Sequence, residues 1–170
     1  MDTRHHLLQA ASDVVAAQGS RALTLEAVAR QAGVSKGGLL YHFPNKNALI
    51  AGMVAAAVEA FEHAVAAGEE SGDDWLAAYV DATLADLTTH DPLSGVFTAI
   101  AEEPELLAPF RAALDRWYHR AAHDYGPDAV PLLLALDGLW LHARLGTLPN
   151  LDLDAVGERL RHHARAARRR

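Results

Sequence analysis

The sequence contains no cysteine. That excludes disulfides, zinc–thiolate sites and a cysteine nucleophile. No apolar run approaches the roughly 18 to 20 residues of a bilayer-spanning helix, so no membrane partner is expected. The opening stretch, MDTRHHLLQAASD, is too polar for a secretory signal. No segment alternates apolar and polar residues as a strand does, and none repeats. There is no phosphate-binding glycine loop, no Ser/His/Asp order and no paired-carboxylate motif. No catalytic residue and no cofactor is therefore assigned. These absences lead to an expectation of a soluble cytoplasmic protein that is not an enzyme.

What is present is helical. The 170 residues suffice for one domain, or for a small domain fused to a larger one. A chain of this size buries roughly two thirds of its unfolded surface. The net charge of −7 is unevenly spread. Residues 1–50 carry five Lys/Arg against three Asp/Glu, residues 51–160 five against nineteen, and residues 161–170 five against none. The acidic middle repels polyanions, whereas the N-terminal segment tolerates them.

Apolar residues recur at three and four throughout. Thr3 can cap a first helix carrying Leu7, Leu8, Ala11, Val14 and Val15, and Gly19 stops it. Thr24 caps a short second helix with Leu25, Val28, Ala29 and Ala32, which Gly33 ends. Ser35 caps a very short third helix that finishes before Pro44. Asn45 caps a fourth, reaching to about Val65. A fifth covers Trp75 to Leu87, and a short one lies around Val96–Ala101. Pro104 opens a long helix to Tyr125. Asp128 caps the next, which runs to Gly146, and a last helix starts at about Asp154. The fold class is all-α, with about nine helices.

The glycine pair within GVSKGGLLYHFPNK is anomalous, because each glycine inside a helix costs about 1 kcal/mol relative to alanine. The second and third helices with their glycine turn form a helix-turn-helix. Ala29 and Gly33 are the small residues that let the two helices approach. Val34 and Leu40 can pin the third helix, and Phe43 closes the cluster. The exposed face presents Ser35, Lys36, Gly37, Gly38, Tyr41 and His42. A recognition helix must enter a groove about 12 Å wide, and glycines at its start let the backbone come close to the bases. The alternative is that they form a loose turn.

Residues 5–50 resemble the DNA-binding domain of the TetR (tetracycline repressor) family of transcriptional regulators. The resemblance is carried by Gly19, TLEAVARQAGVS, the LLYHF cluster, and Lys46 with Leu49. Asn47 departs from it, standing where an acidic residue is common. LDGLWLHARLG (Leu136–Gly146) is similar to the eighth helix of many members. The resemblance implies a DNA-binding domain over 1–50 and an effector-binding and dimerisation domain over 51–170. It also implies a homodimeric repressor on a palindromic double-stranded operator, released by a small lipophilic effector. By motif position Thr24, Lys36, Tyr41, His42 and Lys46 would touch DNA. Thr24 can equally serve only as a helix cap. Lys46, at a helix N-terminus, suits a phosphate.

Nine of the eleven aromatic residues lie beyond residue 60, mostly on core faces. An effector pocket is usually apolar with a few polar groups. Trp75, Tyr79, Thr83, Phe97, Phe110, Trp117, Asp137 and Trp140 fit that mixture. Leu133, Leu136, Trp140 and Ala143, with Gly138 allowing close approach, form one apolar face. Val156, Leu160 and Ala164 form another. Together they suggest a two-fold four-helix interface; covering their own domain is the alternative. His119 and His123 stand at i, i+4, a metal-ligand spacing, so a helical metal-binding or catalytic protein is the rival reading. A solvated helix face explains them as well. The terminal RHHARAARRR fits a last helix whose cations offset the helix dipole.

Overall fold

A computed structural model describes residues 2–87, 104–148 and 150–167. The described residues form eight α-helices and no strand. They are α1 (Thr3–Gln18), α2 (Leu25–Gln31), α3 (Lys36–His42), α4 (Lys46–Glu70), α5 (Trp75–Leu87), α6 (Ala108–Tyr125), α7 (Ala129–Arg144) and α8 (Leu153–Ala167). The helix expected around Val96–Ala101, and Phe97 with it, lies outside the described residues. Pro104–Leu107 forms a 3-10 turn ahead of α6, so Pro104 does not itself open the long helix.

The caps follow from side-chain chemistry. Thr24 Oγ1 accepts from the Ala27 amide at 3.1 Å, Ser35 Oγ from Gly38 at 3.0 Å, and Asn45 Oδ1 from Ala48 at 2.8 Å. At the first helix the cap is Asp2, not Thr3: the Asp2 carboxylate accepts from the Arg4 amide at 3.1 Å. Its charge also suits the positive helix end. Asp128 occupies the cap position of α7 with helical backbone and makes no side-chain cap bond.

The chain divides into two compact units. The first comprises the described residues up to Val58 and those from 104 to Arg111; the second comprises Glu59 to 87 and Ala112 onward. The expected boundary at residue 50 thus falls within α4, which contributes to both units. In the first unit Leu7, Val14, Leu23, Val28, Leu39, Phe43, Leu49 and Ile50 are fully buried. Each side chain of this size contributes about 1.5–3 kcal/mol. Phe43 and Leu8 pack so close to α4 that a Cβ on Gly52 would stand 2.8 and 3.2 Å from them. In the second unit α5 is buried continuously from Trp75 to Val80, where its sequence WLAAYV is apolar all round. It packs against α7 and α8.

By length and composition α4 could cross a membrane, contrary to the expectation from apolar runs. Its many alanines lift its average hydropathy without forming a long block of large apolar side chains. Leu49, Ile50, Met53, Val54, Val58 and Val65 on it are buried, while Glu62 and Glu69 form ion pairs with Arg116 and Arg120. It is a core helix.

Candidate nucleic-acid interface and effector site

Gly33 has φ +66°, a left-handed conformation that glycine adopts without strain. A Cβ there would meet nothing within 4 Å. The glycine therefore serves the backbone turn and not, as expected from spacing, a close helix approach. The Val34 amide donates to the Ala29 carbonyl at 3.0 Å. His6 Nε2–H donates to the Ala32 carbonyl at 3.1 Å, tying α1 to the end of α2. Spacing alone had given no sign of that bond.

The register of α3 corrects one expectation. Leu39 is 0% exposed and, with Phe43, holds α3 to the core, whereas Leu40 is 37% exposed. Starting the helix at Lys36 turns Leu39 and Phe43, four apart, to the same side. Ser35, Lys36, Gly37, Gly38, Leu40 and Tyr41 are exposed, and His42 is half-buried. Tyr41 is 86% exposed, with the His42 ring edge-on at 5.1 Å. Lys46 is exposed at the start of α4, and Thr24 at the cap of α2. Lys36 Nζ donates to Glu26 Oε1 at 2.5 Å.

Gly37 and Gly38 lie in the helix with no left-handed φ. A Cβ on Gly37 would come no closer than 4.0 Å to the Ser35 hydroxyl, and one on Gly38 no closer than 3.4 Å. Nothing inside the fold requires either to be glycine. Their helix cost is not offset by any close packing among the described residues.

In the second unit Phe61, Tyr79 and Trp117 pack ring against ring, with centroids 5.0–5.7 Å apart. Trp75 joins Tyr79 at 5.3 Å, and the Arg120 guanidinium lies 4.8 Å over Trp75. Thr83 is buried and donates to the Tyr79 carbonyl at 2.8 Å. Tyr118 donates to Asp137 Oδ2 at 2.6 Å. Burial holds the Asp137 carboxyl above the usual range, against the opposing pull of that bond. Burial also raises the Tyr79 and Tyr118 hydroxyls, with the Asp137 charge adding to the effect. Trp140 Nε1 donates to Asp86 at 2.7 Å. Phe110 packs against the N-terminal core. Sequence reasoning missed Phe61, Glu62 and Tyr118, which follow from the α4 and α6 periodicity once their facing surfaces are known.

Leu133 and Leu136 are 0% exposed, covered by their own chain. Ala143, Val156 and Leu160 are half-buried. The open face of α7 is instead marked by Leu134 and Leu141, with Leu145 just beyond its end and the half-buried Val130 and Gly138 in the same stripe. Leu134, Leu141 and Leu145 are 58%, 44% and 57% exposed, and Gly138 meets nothing within 4 Å. His119 Nδ1–H donates to the Asp115 carbonyl and His123 Nδ1–H to the Asp124 carboxylate, each at 2.7 Å. Among the described residues no three His, Asp or Glu side chains converge as a metal site.

These features define a helix-turn-helix unit carried with an all-helical second unit. The profile described as "Bacterial regulatory proteins, tetR family" matches residues 7–53. The one described as "Tetracyclin repressor-like, C-terminal domain" matches residues 73–165. The chain belongs to the TetR family of transcriptional regulators, with a DNA-binding helix-turn-helix domain and a ligand-binding domain. Members of the family are transcription factors and not enzymes. No curated protein matches the sequence. Solved structures share the fold. A TetR-family member from Streptomyces coelicolor A3 is 24% identical, with 96% of this chain and 98% of that one covered and a TM-score of 0.72. The multidrug binding protein EbrR, solved with imidazole, is 23% identical over 96% and 95%, with a TM-score of 0.65. NalD, the secondary repressor of the MexAB-OprM multidrug efflux pump in Pseudomonas aeruginosa, is 21% identical over 97% and 96%, with a TM-score of 0.61.

Proposed function

We propose that the chain is a cytoplasmic repressor that binds a palindromic operator as a homodimer and is released by a small lipophilic cation. The observation that carries the DNA half is the exposed Gly37–Gly38 pair beside Tyr41, which no packing inside the fold explains. Ser35, Lys36, Tyr41, His42 and Lys46 form the docking face with them, and Thr24 adds its hydroxyl where its cap bond leaves a lone pair free. Leu40 adds an apolar contact suited to a thymine methyl.

Homodimerisation rests on the α7 stripe Leu134–Gly138–Leu141–Leu145, with the half-buried Val156 and Leu160 of α8 as a second apolar surface. A second copy offers the same stripe, and a two-fold pairing is self-complementary. The dimer would hold its recognition helices about 34–36 Å apart, or a multiple.

The effector class rests on the aromatic cluster and on the half-buried Asp137 carboxylate, whose charge reaches Tyr79. Phe61, Tyr79 and Trp117 suit a cation over their rings, as Trp75 already holds the Arg120 guanidinium. Asp137 gains from a cation that relieves its desolvation. Thr83 and Trp140 are neighbours on the same helices. Helix α4, at 25 residues about 38 Å long, is one continuous rod from Lys46 to Glu70 and can act as a lever. A coupling of about 1–3 kcal/mol weakens operator binding about 5- to 150-fold. A thermal-shift screen of hydrophobic quaternary ammonium compounds, followed by operator binding with each hit, tests this. Hits that stabilise the protein, lose affinity in Asp137→Asn and weaken operator binding support the reading. Tight hits that leave operator affinity unchanged contradict it.

A further inference from the structure

Glu26 is placed where a DNA-binding face would not be expected to keep a carboxylate. Only three acidic residues occur in the first fifty. Asp2 caps α1, and Asp13 accepts from Gln9 on the same helix. Glu26 alone lies on the helix-turn-helix itself, in the first turn of α2, two residues beyond the Thr24 cap. There the positive helix end favours its charge. Lys36 is the first residue of α3, where the same dipole disfavours a cation. The two meet: Lys36 Nζ sits 2.5 Å from Glu26 Oε1, and the side chains are 58% and 61% exposed. An ion pair this open adds little to stability, so holding the fold together does not account for it.

We propose that Glu26 is a specificity-determining residue, which occupies the Lys36 ammonium and so withholds one phosphate contact from sequence-independent DNA binding. The proposal rests on α3 being the DNA-docking helix. Sequence-independent affinity comes from cations that neutralise phosphates and release counterions. With Lys36 engaged by Glu26, a chance duplex gains one cation fewer. At the operator, base contacts made by the rest of α3 hold the helix in the groove, so Lys36 can exchange its carboxylate for the DNA there. Glu26 thus lowers random binding more than operator binding. The neighbouring Gly37 and Gly38 carry no side chain that would stand between Lys36 and a duplex.

The experiment compares the full-length chain with Glu26→Gln, Lys36→Gln and the double variant. Fluorescence anisotropy is read on a random duplex and on the palindrome upstream of the gene, from 50 to 300 mM salt, with thermal midpoints as the fold control. Glu26→Gln is expected to steepen the slope of log affinity against log salt on random DNA by about 0.9, one added contact. Its affinity for random DNA at 0.1 M salt should rise about 8-fold, the same contact expressed at that concentration. The palindrome-to-random ratio should fall. The double variant should match Lys36→Gln. An unchanged slope and random affinity in Glu26→Gln overturn the proposal. So does an equal gain in the Lys36→Gln background, because Glu26 would then act by repulsion alone. A folded wild-type chain with no salt-dependent affinity for either duplex overturns the DNA-docking reading itself, and this proposal with it.

Discussion

Replacing Gly68 with alanine sets two effects of opposite sign against each other. In a helix the change gains at most about 1 kcal/mol from propensity. At Gly68, however, the new Cβ would stand 2.7 Å from the Ala78 Cβ and 3.3 Å from its Cα. Ordinary contact between carbons begins at about 3.5 Å, so α4 and α5 must separate by nearly an ångström. Neither atom is the end of a flexible side chain, and Ala78 is itself buried. Overpacking of this kind costs about 1–3 kcal/mol. The net expectation for Gly68→Ala is a destabilisation of about 1–2 kcal/mol, with packing outweighing propensity. Moving the methyl across the contact tests the cause. Ala78→Gly loses up to about 1 kcal/mol of helix propensity alone. In Gly68→Ala/Ala78→Gly the 2.7 Å approach is gone and only the 3.3 Å one to the residue-78 Cα remains, so the double variant should be more stable than Gly68→Ala. A coupling energy of about 1–2 kcal/mol is expected between the two sites. The assay is urea unfolding at matched protein concentration. Strict additivity, or a Gly68→Ala chain more stable than wild type, refutes the close-approach argument.

Other perturbations read different parts of the account. Ser35→Ala removes the side-chain bond that caps the seven-residue α3 and should cost about 1 kcal/mol; faster hydrogen exchange at Leu39 and weaker operator binding would report it. Burial keeps the folded-state pKa of Asp137 above its unfolded value, so stability is fully present below the unfolded pKa and is lost as pH rises through the folded one. Asp137→Asn should therefore raise the thermal midpoint at pH 7 and flatten its decline above pH 4, whereas a lower midpoint would show that the carboxylate is stabilising. Tyr118→Phe leaves that carboxylate without its O–H donor and should destabilise by about 1–3 kcal/mol, measurable by urea unfolding. Leu134→Asp with Leu141→Asp alters only exposed side chains and should yield folded monomers in light scattering; a persisting micromolar dimer excludes this stripe as its interface.

Much of the fold was legible because the signals were local. Thr24, Ser35 and Asn45 cap where their chemistry puts them, and three-and-four periodicity located the helices that the structure describes. Gly33 was located but misjudged, since spacing reveals a small residue without revealing whether φ or packing demands it. Leu40 and Leu39 are adjacent and equally apolar, so a shift of one residue in helix start exchanges core for surface. The faces of α7 failed for a related reason. Periodicity identifies an apolar stripe, but only the packing of α5 reveals that Leu133 and Leu136 are already covered while Leu134 and Leu141 are not. Phe110 is apolar at helical spacing like Trp117, yet it packs in the first unit, and no local pattern encodes which core a residue joins. The Tyr118–Asp137 and Lys36–Glu26 pairs join different helices, so neither is visible in one stretch of sequence.

The docking of α3 is tested most directly at Gly38, where the fold and the DNA make opposite demands. Gly38→Ala adds a methyl that the chain itself accommodates, 3.4 Å from the Ser35 hydroxyl. It should leave the thermal midpoint unchanged or raise it, by up to about 1 kcal/mol of helix propensity. Gly38→Glu places bulk and negative charge on the same exposed position. Operator affinity, measured by gel shift on the palindrome upstream of the gene, should fall in both, and far more in Gly38→Glu. A folded Gly38→Glu chain that binds this palindrome as tightly as wild type would contradict the account.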